Sequence, residues 1–370
     1  MKITLNVTHR CNLDCRYCYS GKKIPRDMTL DIGRRSIDFA FDNLPPGSPI
    51  EFSFFGGEPL LCFNLIRRLT DIINAKAAQL NQQVSLNMTT NATLLDDSVL
   101  SWFQENHVDL CISIDGPEGI HNANRRYSNG QGSYCKVHHR LRRALDVLPR
   151  LQVNAVYGPA TTAAMADTFG FFIKEKVPVV HFNPDICAAW DEAAISGLSK
   201  AYHDVAETYI EAYRHGQEVA VNLLDSKMVL FLKGGYSPKD ICGMGHSELA
   251  VAASGNIYPC ERFVGEDNDS NYCIGHVRNG FDSQRRCAVL KGRGNHDDTC
   301  TKCGFEKYCM NWCGCTNHFM TGKTGKAGAM LCKSERTAIR EARRVFMTLH
   351  AESNELFVDH LMHYMTDACN

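Results

Sequence analysis

Two hydrophobic periods alternate through the first half of the chain. Short strand-like runs recur at 2–7, 50–55 (IEFSFF), 83–89 (QVSLNMT), 108–114 (VDLCISI), 151–157 (LQVNAVY) and 178–183 (PVVHFN). Between them, apolar residues return every three to four positions over 29–43, 61–80, 96–106, 133–148 and 161–176, the period of a helix with one buried face. Several of the strands are near-continuously apolar, which predicts a parallel sheet covered on both faces. Six such units predict an α/β fold with crossover helices.

Turn-forming clusters follow the strands: GGEP at 56–59, TNAT at 90–93, DGPEG at 115–119, GPA at 158–160 and NPD at 183–185. In barrel-type α/β folds the C-terminal strand ends carry the active site, although ordinary turns use the same residues. A long helical pattern at 195–233 leads into a different region. From 240 to 332 periodicity fades while Gly, Asp, Asn and Cys become frequent. Such a segment needs staples beyond an apolar core, and metal-binding cysteines would supply them. The tail, 334–366, is helical again. The expected layout is a partial barrel at 1–190, a helical bridge at 191–239, a cysteine-rich domain at 240–333 and C-terminal helices at 334–370.

Composition narrows the function classes. The 370 residues carry a net charge of −1 and are 44% hydrophobic, enough for a sizeable core and without the charge excess of a nucleic-acid or membrane-surface protein. The basic residues Lys136, Arg140, Arg142, Arg143 and Arg150 read as a solvated helix face. No apolar run approaches the ~20 residues of a membrane span. The opening MKITLNVTHRC reads as a strand rather than a signal peptide, so a cytoplasmic protein is expected. Eighteen cysteines do not fit a disulfide framework in a reducing compartment. Isolated ones such as Cys62, Cys111 and Cys135 suit small buried hydrophobes. Clustered ones suit metal ligation.

The first cluster is CNLDCRYC at 11–18, holding Cys11, Cys15 and Cys18, with His9 the nearest other ligand type. A structural zinc site wants four ligands. An iron–sulfur cube with three thiolates keeps one iron open to a small molecule. The spacing CxxxCxxC, with Tyr17 before the last cysteine, resembles the signature of the radical S-adenosylmethionine (SAM) enzymes. The resemblance implies a [4Fe–4S] cluster whose open iron chelates the amino and carboxylate groups of SAM. It further implies reductive cleavage to a 5′-deoxyadenosyl radical that abstracts a substrate hydrogen. By the same resemblance Gly56, Gly57, Glu58 and Pro59 meet the SAM amino group. Ser113 in SIDG and Arg125 in HNANR meet its ribose or carboxylate. Arg126 is an equally available cation, so Arg125 is chosen on the motif. TNAT departs from the commoner TNG, and Asn91 is a candidate cavity residue and no more.

The second pattern is C-x12-G-x4-C from Cys242 to Cys260, then Cys300, Cys303, Cys309 and Cys313 in C-x2-C-x5-C-x3-C, then Cys332. It resembles the SPASM domain of peptide- and protein-modifying radical SAM enzymes. That resemblance implies two auxiliary [4Fe–4S] clusters, three clusters in all. Cys300, Cys303, Cys309 and Cys332 would ligate one. Cys242, Cys260 and Cys313 would ligate the other, one ligand short. Sulfatase maturases carry a further cysteine six residues after the first, where this chain has Glu248. Cys273, Cys315, His246, water or substrate would fill the gap. Cys187, Cys287, Cys315 and Cys369 are otherwise unassigned thiols. Glu261, next to Cys260, matches the aspartate base of the maturases but is one methylene longer. A salt bridge to Arg262 is its plainer role.

The expected whole is a partial (β/α)6 TIM-type barrel with a SPASM domain. The expected reaction is oxidative cross-linking of a ribosomally made peptide through a thioether, carbon–carbon or carbon–oxygen bond. The alternatives are an anaerobic sulfatase maturase making formylglycine and, from a different class, a zinc-stabilised non-catalytic binding module. Expected partners are a peptide or protein substrate and an electron donor such as flavodoxin or ferredoxin. Many peptide maturases carry an N-terminal leader-binding domain. This chain opens on the first strand, so a separate leader-binding protein, or direct reading by the barrel and SPASM surfaces, is expected.

Overall fold

The computed structural model describes residues 1–44, 47–268, 271–291 and 298–369, the last four by backbone alone, so the Cys369 side chain lies outside the description. Six strands follow the predicted order: β1 (Lys2–Thr8), β2 (Ile50–Gly56), β3 (Val84–Thr90), β4 (Val108–Ser113), β5 (Gln152–Tyr157) and β6 (Val179–Pro184). Five short ones come after: β7 (Ala220–Val221), β8 (Glu248–Val251), β9 (Asn256–Tyr258), β10 (Gly275–His276) and β11 (Gly280–Phe281). The chain divides into two compact units. One comprises 1–113, 122–148 and 242–291, and the other 114–121, 149–241 and 292–370.

The first unit holds an open, mixed sheet in the order β11-β10-β9-β8-β1-β2-β3-β4. β1 lies mid-sheet, parallel to β2 on one side and to β8 on the other. Ile3, Leu5 and Val7 of β1 are fully buried, each contributing about 1.5–3 kcal/mol by leaving water. The helix Leu30–Asp42 is N-capped by Thr29 and buries Ile37 and Phe41. The helix Asp97–Glu105 is capped by Asp96.

The strands are not apolar on both faces, as the sequence suggested. They alternate, and the register aligns Thr4, Ser53, Asn87 and Asp109 in one row across β1 to β4. Polar groups of this kind need water or polar partners, and Thr4 and Ser53 are buried within the row. The region from 240 onward contributes β8 and β9 to this sheet, where only loops were expected. Strands of four and three residues carry too little periodicity to register.

In the second unit β5, β6 and β7 run parallel. The helical pattern at 195–233 is broken. The helix Glu192–Arg214 ends before Gly216, at φ +70°, and the chain forms β7 before the helix Asp225–Lys233. Gly216 takes the left-handed conformation that stops a helix. The β-branched Val219 and Val221 favour the strand. The helix Ala329–Ala351 packs along Glu192–Arg214, with Arg344 paired to Glu207 at 2.6 Å. Among the described residues no helix is long and apolar enough to cross a membrane.

Candidate active site

The cysteine loop leaves the C-terminal end of β1 and is held from three sides, all within the first unit. From β2, the Gly57 amide donates to the Thr8 carbonyl and the Glu58 amide to the Arg10 carbonyl, both at 2.8 Å. From 124–127, the Arg126 carbonyl accepts from the Asp14 amide at 2.7 Å and the Asn124 carbonyl from the Arg16 amide at 3.2 Å. From TNAT, Asn91 Nδ2 donates to Asn12 Oδ1 at 2.9 Å, and Asn12 Nδ2 donates to Thr93 Oγ1 at 2.7 Å.

The glycines of GGEP serve this docking. A Cβ on Gly57 would stand 2.1 Å from the Arg10 carbonyl oxygen. One on Gly56, at φ +138°, would stand 2.3 Å from that of Thr8. Only glycine tolerates both the conformation and the approach. Pro59 opens the short turn Pro59–Cys62, which Glu58 caps. Glu58 is fully buried. Its Oε1 accepts from Thr90 Oγ1 at 2.6 Å and the Leu60 amide at 3.0 Å, and its Oε2 accepts from the Asn91 amide at 2.8 Å. Burial, ahead of these hydrogen bonds, leaves its carboxyl above the ordinary glutamate value.

Arg125 and Arg126, equivalent in sequence, differ in place. Arg125 is buried, with its guanidinium 5.2 Å from the Tyr17 ring centroid. Arg126 is exposed, its Nε donating to the Asn122 carbonyl. Arg125 also exerts a favourable field on Glu58 and Cys111. Ser113 is buried at the end of β4.

The thiols are not equivalent. Burial pushes Cys11 up to about 11. Burial acts the same way on Cys18, but Lys23 Nζ, 2.8 Å from its Sγ, and Ser20 overcome it and hold the thiol below the ordinary value. Three half-buried thiols on a loop fixed from three sides, one beside an ammonium, fit a thiolate-ligated iron–sulfur cluster. Lys23 escaped the sequence analysis; its signal was the GKK that follows the cysteines.

The segment after Cys18 packs against the turn that follows Cys260. The Lys22 amide donates to Glu266 Oε1 at 3.1 Å, and Arg26 Nη1 pairs with Asp267 Oδ2 at 3.1 Å. Tyr19 stacks on Phe55, centroids 6.5 Å apart. Burial, then the charge of Glu261, holds its hydroxyl well above the ordinary tyrosine value, and Cys260 and Cys18 act on it too. Cys260 Sγ lies 3.4 Å from Glu261 Oε2, and Cys242 Sγ lies 3.2 Å from Glu248 Oε2. Of the candidates for the missing ligand in this unit, Cys273 is buried with its thiol 3.2 Å from the Gly275 carbonyl, and His246 Nδ1 lies 2.9 Å from Arg286 Nη2.

The second unit holds the remaining cysteines. The Cys303 amide donates to the Cys300 carbonyl in a tight turn. Cys309 ends the turn Glu306–Tyr308, and Cys332 lies on the helix Ala329–Ala351. Cys313 and Cys315 are buried, with sulfurs 3.6 Å apart. Cys187 and Cys287 are exposed, in the second and first units respectively.

Comparison with known proteins identifies the first domain. The Radical SAM superfamily model matches residues 5–172. Residues 5–172 are a radical SAM domain. An uncharacterised protein of Methanocaldococcus jannaschii is 40% identical over 131 residues, which span 35% of this chain and 44% of that protein, less than half its length. The cysteine-type anaerobic sulfatase-maturating enzyme of Clostridium perfringens is 23% identical over 331 residues, 82% of this chain and 85% of that enzyme. Among solved structures, native anSMEcpe with bound AdoMet and the Cp18Cys peptide superposes with a TM-score of 0.76 at 19% identity, covering 95% of this chain and 99% of that one. Streptococcus suis SuiB bound to its precursor peptide SuiA gives 0.60 at 16% identity, covering 90% and 75%. At such identities the structures establish a shared α/β fold. The radical SAM domain makes the protein an enzyme, related to sulfatase maturases and peptide-modifying radical SAM enzymes, and sets aside the non-catalytic binding module.

Proposed function

We propose that the enzyme modifies a ribosomally made peptide by hydrogen abstraction followed by oxidative cross-linking, through a thioether, carbon–carbon or carbon–oxygen bond. Cys11, Cys15 and Cys18 hold the SAM-binding cluster. Cys300, Cys303, Cys309 and Cys332 hold one auxiliary cluster, and Cys242, Cys260 and Cys313 ligate a second. When bound, these groups supply a hydrogen-abstracting radical and an electron sink. Residues 1–190 would form the catalytic domain and 240–333 the auxiliary domain, joined by the bridge 191–239 and followed by helices at 334–370.

The chain's own residues do the positioning. Arg125, buried beside Tyr17, offers a guanidinium to the SAM carboxylate. Glu58 would accept from the SAM ammonium with Gly56, Gly57 and Pro59 beside it, and Ser113 would meet the ribose. Glu261 takes the proton from the substrate thiol or hydroxyl.

One observation carries this reading: the segment 19–26 packs the cysteine loop against the turn bearing Cys260 and Glu261. A carboxylate already within 3.4 Å of a thiol thus sits in the same compact unit as the SAM loop. The peptides bound in the two similar structures support a peptide substrate. A flavodoxin or ferredoxin would supply electrons, and a separate leader-binding protein fits the same scheme. Formylglycine formation is the second reading, favoured by the likeness to the Clostridium perfringens maturase over most of both chains.

Anaerobic reconstitution with iron and sulfide, then reductant, SAM and any short cysteine-containing peptide found encoded in the neighbouring open frames, tests the proposal. A peptide lighter by two hydrogens, with fragmentation blocked between two residues, supports cross-linking. Formylglycine in a Cys/Ser-x-Pro-x-Arg peptide supports the second reading instead.

A further inference from the structure

Within the second unit, Lys227 and Glu335 form an ion pair at 2.7 Å with side chains 6% and 8% exposed. Both lie on helices, Lys227 on Asp225–Lys233 and Glu335 on Ala329–Ala351. A pair this buried is weak evidence for stability, because desolvation offsets much of the attraction. Its hydrogen bonds are more informative. Lys227 Nζ donates to the Tyr308 carbonyl at 3.2 Å, and the Met310 amide donates to Glu335 Oε2 at 2.5 Å. These are the backbone groups on either side of Cys309.

The preceding residue is pinned as well. The Tyr236 amide donates to the Lys307 carbonyl at 2.8 Å. Gly235 approaches so closely that a Cβ would stand 2.7 Å from that carbonyl oxygen. The helix that carries Glu335 also carries Cys332 one turn earlier, on the same side.

We infer that the Lys227–Glu335 pair is a positioning device: it presets Cys309 against Cys332 for cluster ligation, and its two charges set the potential of that cluster. The inference rests on the proposal that Cys300, Cys303, Cys309 and Cys332 hold one auxiliary cluster. Neither residue ligates iron. The ammonium fixes the carbonyl before the ligand cysteine and the carboxylate fixes the amide after it, so the thiol direction is set before metal arrives. A positive charge near an iron–sulfur cluster favours its reduced form and a negative charge disfavours it.

The test uses the full chain, reconstituted anaerobically, in a background where Cys11, Cys15 and Cys18 are alanine and the first cluster is absent. Iron and acid-labile sulfide per chain, thermal unfolding and an EPR-monitored redox titration are measured. Lys227→Met is expected to lower the midpoint potential and Glu335→Gln to raise it, with Lys227→Arg close to the parent. The apolar double variant Lys227→Met/Glu335→Leu leaves no unpaired charge and is expected to unfold near the parent temperature while losing the iron of one cluster. Parent iron content in the double variant, with unshifted potentials in both single variants, overturns the inference and leaves the pair a structural staple. Full iron retention in Cys309→Ala and Cys332→Ala would instead overturn the cluster assignment beneath it.

Discussion

Gly57 and Arg10 meet backbone to backbone: the carbonyl oxygen of Arg10 lies where a Cβ on Gly57 would be, at 2.1 Å. Gly57→Ala therefore pushes β2 away from the cysteine loop. Overpacking of this kind costs about 1–3 kcal/mol. The expected outcome is a lower unfolding temperature and a loss of the iron held by Cys11, Cys15 and Cys18, read by iron analysis in a background without the auxiliary cysteines. Unchanged iron would show that the docking of GGEP does not shape the loop.

Arg125 and Arg126 separate a binding role from a surface one. Arg125→Ala removes a buried cation, and a charge-assisted hydrogen bond is worth about 1.5–3 kcal/mol. SAM affinity, measured by equilibrium dialysis on the reconstituted enzyme, should fall roughly 10- to 100-fold, as each ~1.4 kcal/mol is tenfold. Arg126→Ala should bind SAM as the parent does. Equal effects from the two variants would sink the assignment of Arg125.

Asn91 braces the loop through Asn12 and also accepts from the Thr93 amide at 3.0 Å. Asn91→Ala leaves buried polar partners unpaired, at about 1–3 kcal/mol for each group. Faster proteolysis within 9–18 of the metal-free protein is expected. If cleavage there proceeds at the parent rate, TNAT is not a brace.

Cys15→Ala should abolish 5′-deoxyadenosine formation from SAM, since an open-iron cluster cannot keep its site with two thiolates. Product persisting in chromatographic assay of that variant would remove the first cluster from this loop.

His360 gives stability a pH dependence. Burial alone would lower its value, but hydrogen bonding and charge from Asp225, 2.9 Å away, and then Glu218 raise it above the ordinary 6.5. Tyr209, Tyr213 and Tyr364 complete its surroundings. A raised folded-state value means that the stabilisation is fully present below about pH 6.5 and is lost as pH rises through the folded value. Urea midpoints across that range should fall for the parent and stay flatter for His360→Gln. Parallel curves would show that the imidazolium contributes nothing.

Much of this was legible in the chain. The first six strands fall within a residue or two of their predicted limits, because alternation and turn residues are local signals. The cysteine loop at the end of β1 was equally plain. The addition of β8 beside β1 was not, since Lys2 pairs with Glu248 across most of the sequence and β8 has only four residues. Lys227 and Glu335 gave no sign of their pairing either, each resembling an ordinary charge on a helical pattern.

The sequence by itself determined which chemistry was available. Three thiols within eight residues lie at most about 24 Å apart even in a fully extended chain, so their spacing made a shared cluster possible, and the docked loop brings them into reach of one. Tertiary structure alone decided how neighbours with the same chemistry divide their tasks. It buried Arg125 and exposed Arg126, turned the glycines of GGEP toward the backbone of the loop, and set Glu58 to cap a turn. Burial, hydrogen-bond geometry and local field depend on what the rest of the chain packs around a residue, and one-dimensional spacing carries no record of that packing.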